Sequence, residues 1–169
     1  MNTRRLQGWA LAAAAVLGLL VLVRSGSTIF PVAFVVGGIL LIVGLPAIHA
    51  IEPSGTGGLI GLILVELGAV IAVVFNLVAA FGGSGLGSVV PFIGAAAAGI
   101  GRLVVGWLTS RGRVFAPWAG WAFIISGLVN FVGGLLATGV LASALGILAP
   151  LAEAVALIGY ALAIQRSSG

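Results

Sequence analysis

Glu66, Arg102 and Glu153 each stand inside a long apolar run, where a charge needs a reason. A charged side chain at the centre of a lipid-embedded helix costs roughly 2.5–3.5 kcal/mol on insertion scales, so such residues are paired or functional. Glu66 lies 18 residues before Ser84 and Arg102 lies 18 residues after it, on either side of the glycine turn FGGSGLGS. An antiparallel helical hairpin centred on Ser84 brings acid and base to one depth, which predicts a Glu66–Arg102 pair. On a helix Arg102 shares its face with Ala95, Ala98, Gly99, Gly106 and Thr109, small residues that admit a close neighbour, so the arginine points inward. Glu153 follows Pro150 by about one turn, on a face made of Gly146, Ala149, Ala156 and Tyr160. Proline frees a backbone carbonyl one turn earlier and adds local polarity. The three charges form an intramembrane cluster with one carboxyl in excess. Its chemistry is either that of a structural ion pair or that of a carboxyl that carries a proton in a coupled carrier.

Asn76, Ser126, Asn130 and Tyr160 supply a polar lining beside this cluster. Ser126 and Asn130 share one helical face, and interhelical amide bonds are the ordinary role of such residues in bundles. His49, the only histidine, lies close to Glu52, and this pair is the one place where an enzyme acting on lipid or quinone would have a polar group. Cysteine and aspartate are absent, so disulfides, thiolate metal sites and Ser–His–Asp catalysis are excluded. A single histidine without cysteine makes a poor metal site, and no metal or cofactor is expected. The glycine turn lacks the G-K-[ST] ending of a phosphate loop, and the chain has no lysine at all.

The elements that must hold these residues are membrane helices. Hydrophobic residues make up 62% of the chain and charged residues only 6%, against about 25% charged in an ordinary soluble domain. Apolar runs at 8–23, 29–51, 58–80, 89–109, 117–136 and 141–164 predict six spans in one all-α transmembrane domain covering 1–169. The breaks RSGST, EPSGTGG, FGGSGLGS, SRGRVFAP and ATGV are short, which makes sequential helices antiparallel neighbours. With the N-terminus inside, Arg4, Arg5, Arg111, Arg113 and Arg166 are cytoplasmic and only Arg24 is outside, as the positive-inside rule requires. Trp9, Trp107, Trp118 and Trp121 fall at the same interface. Both termini are therefore expected in the cytoplasm, and the protein in the inner membrane. The basic start followed by an apolar run resembles a signal peptide, but no A-x-A-like site follows, so an uncleaved first span is expected. The net charge of +4 comes from scattered arginines without a basic stripe, so no nucleic-acid partner is expected.

Ala12–Ala15, Ser25, Gly26, Phe30 and Pro31 are echoed by Ala95–Ala98, Ser110, Gly112, Phe115 and Pro117. Extending that alignment brings Glu66 close to Glu153 and predicts a 3+3 inverted repeat, a plan common in transporters. FPVAFVVGGILLIVGLPAIHA and its echo FAPWAGWAFIISGLVNFVGGL resemble the HdeD-like acid-resistance proteins. That likeness covers two hairpins and carries over no functional residue. Six spans with both termini inside are also similar to the substrate-binding subunits of energy-coupling-factor vitamin transporters, with Gly8, Ala12 and Ala15 as the small-residue face of the first span. The functional expectation is a non-enzymatic accessory, assembly or stress-related membrane protein, surrounded by lipid and joined to another membrane chain or to its own copies. A small proton- or cation-coupled transporter using Glu66, Arg102 and Glu153 is the alternative.

Overall fold

In lipid a backbone must satisfy its own polar groups, and long runs of Leu, Val, Ala and Ile do so as helices. The computed structural model describes residues 3–23, 29–81, 89–135 and 140–167, which are helical apart from short connections such as 52–54 and 111–116, with no strand among them. The helices are α1 (Thr3–Val23), α2 (Ile29–Gly44), α3 (Pro46–Ile51), α4 (Gly55–Ala80), α5 (Val89–Ser110), α6 (Pro117–Leu135) and α7 (Val140–Ser167). Residues 24–28, 82–88 and 136–139, where the sequence predicts turns and where Arg24 and Ser84 fall, lie outside the described residues.

The expected span 29–51 is interrupted. Pro46 has no N–H to donate, and α2 gives way to α3 at Leu45, whose backbone nonetheless stays helical (φ −55°, ψ −40°). The chain therefore continues in nearly the same direction. Among the described residues, four stretches are long and apolar enough to cross a membrane: Val32–Ile51, Gly55–Val78, Val89–Ser110 and Leu145–Ser167. Pro117–Gly133 is apolar but shorter, and the first expected span, within α1, is not among the four.

The long helices close into a ring. α1 packs on α2, α2 on α4, α4 on α5, α5 on α6, α6 on α7, and α7 returns to α1. The short α3 touches α1, α2, α4 and α7. Neighbours run antiparallel: the α1 start at Gly8 lies against Ala161 and Ile164 of α7, and Gly44 of α2 lies against Leu11 of α1. Gly106 and Gly120 bring the α5 and α6 backbones together, the close approach that small residues permit. Leu11, Leu45, Val65, Phe123, Tyr160 and Ile164 fill the interior.

The exterior is a belt of exposed Leu, Ile and Val, the surface lipid requires. All four tryptophans lie outside it at one end, 62%, 45%, 49% and 52% exposed at Trp9, Trp107, Trp118 and Trp121. Arg111 caps that end by stacking over the Trp107 ring, 3.7 Å from its centroid.

Candidate functional site: a two-rung bridge between α5 and α7

The small face of α5 does turn inward. Ala98, Gly99, Arg102, Gly106 and Thr109 are all buried. What meets Arg102 there is Glu153, not Glu66: Nη2 donates to Oε1 at 2.5 Å, with the two side chains 9% and 21% exposed. The predicted Glu66–Arg102 pair is thus replaced by an Arg102–Glu153 pair. Glu66 and Arg102 nonetheless stand at nearly one depth. Gly61 lies against Val104 and Val105, Val65 against Gly101, and Gly68 against Ala98, so the α4–α5 hairpin places Glu66 and Arg102 within about one turn of each other. Direction decides the pairing. Val65 takes the inward position of α4, and Glu66, about 100° further round the helix, passes beyond the core row.

Glu66 consequently sits on a border. Leu62 and Ala69, one turn either way on one side, are buried, while Ile63 and Val70 on the other side are exposed. The carboxyl is half-buried and makes no hydrogen bond or ion pair among the described residues.

A second rung lies two turns along. The Thr109 hydroxyl and the Tyr160 hydroxyl are 2.8 Å apart, and Thr109 also donates to the Val105 carbonyl at 2.8 Å. Both rungs join residues separated by 51 positions, so α5 and α7 run parallel, with α6 antiparallel between them. Seven residues separate the rungs on each helix, which is about 10.5 Å of rise. Phe123 of α6 touches both levels: the Arg102 guanidinium carbon lies 5.9 Å from its ring centroid, and the Tyr160 ring meets it edge-on at 5.5 Å. Thr109 is the residue that sequence reading missed as a polar partner. The signal was present in the equal seven-residue spacing of Arg102 to Thr109 and Glu153 to Tyr160.

The tryptophan end is closed by the connection from α5 to α6. Phe115 of this connection is buried against Tyr160, ring centroids 5.0 Å apart. Glu52, just past α3, accepts from the Arg113 backbone N–H at 2.6 Å and from that of Val114 at 3.4 Å. Gly112 leaves the room for this, since a Cβ there would land on the Glu52 carboxylate. Glu52 Oε2, His49 Nδ1 and, deeper in the bundle, Arg102 Nε are buried without a hydrogen-bond partner, and no hydrogen bond joins Glu52 to His49.

The two asparagines spend their amides locally. Asn76 Nδ2 donates to the Ala72 carbonyl at 2.8 Å, and Asn130 Nδ2 donates to the Ser126 carbonyl at 3.0 Å. Ser126 itself is fully buried. These bonds lie within single helices, so neither asparagine links its helix to a neighbour through them. No group of three or more His, Asp or Glu side chains suited to a metal ion occurs among the described residues.

Arg102–Glu153 is thus a buried, charge-compensated bridge. It is suited to fixing helix register, and it is connected by aromatic rings to a hydroxyl pair nearer the tryptophan end. Comparison of the chain with protein-family models, with curated proteins and with solved structures finds no match.

Proposed function

We propose that this chain is a six-span, non-enzymatic protein of the inner membrane, with both termini cytoplasmic, that acts as an accessory or assembly component of a larger membrane complex. The observation that carries this reading is how the polar groups are used. Arg102 is spent on Glu153, Thr109 on Tyr160, and the asparagines on their own helices. What remains among the described residues is a packed interior, an apolar exterior, the unpartnered His49 Nδ1 and Glu52 Oε2 at the tryptophan end, and one carboxyl within the apolar spans, Glu66, at the edge of the outer surface. A 3+3 relation of α1–α2–α4 to α5–α6–α7 would match Glu66 with Glu153, yet α1 carries no basic residue in its apolar part to repeat the bridge. The arginines at one end and the four tryptophans beside them support the assigned orientation. Blue-native sizing after mild detergent extraction is expected to give a species larger than the monomer, with a defined co-migrating partner. A strictly monomeric species would overturn the proposal.

The two rungs between α5 and α7 favour a second reading, proton- or cation-coupled transport, because they align titratable groups along the bundle. On that reading, flux in proteoliposomes falls sharply in Glu153→Gln or Glu66→Gln. Flux unchanged in both variants removes these residues from any transport mechanism.

A further inference from the structure

Glu66 lies deep within a membrane-crossing stretch and has no counter-charge among the described residues; the other unpaired charge of these stretches, Arg166, stands at the very end of α7. It stands 11 residues into α4, about 16 Å from the start of the helix and so well inside a hydrocarbon core about 30 Å thick. Its neighbour on that flank is α2: Gly38 of α2 lies against Val73 and the Ala69 carbonyl of α4. The α2 sequence, IFPVAFVVGGILLIVG, contains no side chain able to donate a hydrogen bond. Among the described residues, neither α2 nor the adjoining turns of α4 therefore offers the carboxyl a donor. Around it the seam is apolar and open, with Ile39 and Val43 on α2 and Ile63 and Val70 on α4 all exposed.

We infer that the α2–α4 seam docks a membrane-spanning helix of a different protein, and that this helix presents a lysine or arginine to Glu66 near the middle of its span. The inference rests on the assembly reading and names the chemistry of the partner. Charge complementarity selects that occupant, because an acid left alone in hydrocarbon is stabilised by a cation brought to the same depth. Among the described residues, a second copy of this chain has none to offer. Arg102 is buried and bound to Glu153, Arg4 and Arg5 lie at the start of α1, Arg111 and Arg113 follow α5, and Arg166 lies at the end of α7. Two copies meeting at this seam would bring carboxyl to carboxyl.

The test places a benzophenone amino acid at Val70, one turn from Glu66, in the full chain within its native membrane, with a second probe at Trp107 on the α5 surface. Irradiation is expected to join position 70 to a spanning segment of another protein that carries a mid-span basic residue. The adduct should fall by roughly thirtyfold in Glu66→Gln, the loss that follows truncation of one partner of a buried charge pair. It should return when Glu66→Lys is combined with an acidic replacement of that basic residue, an outcome that a folding defect cannot produce. Crosslinking to a second copy, to lipid alone, or to a segment without a basic residue overturns the inference, as does an adduct indifferent to Glu66→Gln or a failed charge swap. A partner captured only through position 107 leaves the assembly reading standing and removes this seam. A monomer with no adduct from either position removes both.

Discussion

Arg102→Met is expected to destabilise the folded bundle by about 3–5 kcal/mol, the cost of breaking a buried ion pair from one side. Glu153→Leu should cost at least as much, and the two losses differ in kind. The carboxyl left by Arg102→Met can take up a proton and become neutral. The guanidinium left by Glu153→Leu cannot lose one at any accessible pH, so it remains a charge buried against Phe123. The double variant, with both groups replaced by apolar side chains of similar bulk, should be more stable than either single variant. Close residues in one bridge typically couple by about 0.5–3 kcal/mol, and here the coupling should lie at the upper end. Reversible unfolding by sodium dodecyl sulfate in mixed micelles, followed by tryptophan fluorescence, measures all four states of the cycle. Additive losses would mean that Arg102 and Glu153 do not form the pair on which α5 and α7 are registered.

That cycle also separates the two readings of the site. A bridge retained for stability alone can be replaced by a well-packed apolar pair with little loss. The assembly reading therefore expects Arg102→Met combined with Glu153→Leu to keep the co-migrating partner, because its docking carboxyl is Glu66. The transport reading expects the same double variant to be folded and inactive.

Much of this arrangement was legible in the residues, and the reasons for the exceptions are physical. Helix positions followed from apolar runs broken by Gly and Pro, because lipid leaves the backbone few alternatives. The inward face of α5 followed from Ala98, Gly99, Gly106 and Thr109 around Arg102. The depth of Glu66 followed from counting residues out from the glycine turn. The partner of Arg102 did not follow, because counting along a hairpin fixes height but not azimuth. One residue on a helix is 100°, enough to move Glu66 from the core row occupied by Val65 to the seam with α2. Contact between α5 and α7 was still harder to read. They are not sequential, and they meet only because α6 packs between them and lets long side chains reach across its inner face. Asn76 and Asn130 lie within α4 and α6, but in place of the expected interhelical amide bonds each donates to a carbonyl one turn back, a bond available in any helix.

The close crossing of α4 and α5 sets where Arg102 points, and Gly101, like Gly68, stands at a tight place in it. A Cβ there would lie 2.5 Å from the Gly61 carbonyl oxygen and 2.6 Å from the Val65 nitrogen, both backbone atoms that cannot swing aside as a side chain can. Gly101→Leu must therefore push the helices apart along their length, and since overpacking a fitted interface typically costs about 1–3 kcal/mol, a loss of about 3 kcal/mol is expected. The displacement should reach the bridge as well. Arg102 adjoins Gly101, and its Cβ already lies 3.0 Å from where a Cβ on Gly127 of α6 would stand. Turning α5 to relieve the first contact alters the second, so Gly101→Leu should also reduce the coupling measured between Arg102 and Glu153. Gly18→Ala provides the contrast, because a Cβ at Gly18 meets nothing within 4 Å. Replacing glycine by alanine inside a helix gains up to about 1 kcal/mol where space is free, so that variant should be neutral or slightly stabilised in the same titration. Equal stability of Gly101→Leu and Gly18→Ala would show that α4 and α5 do not cross at Gly101. An intact Arg102–Glu153 coupling in Gly101→Leu would show that the bridge is positioned by α6 and α7 without α4.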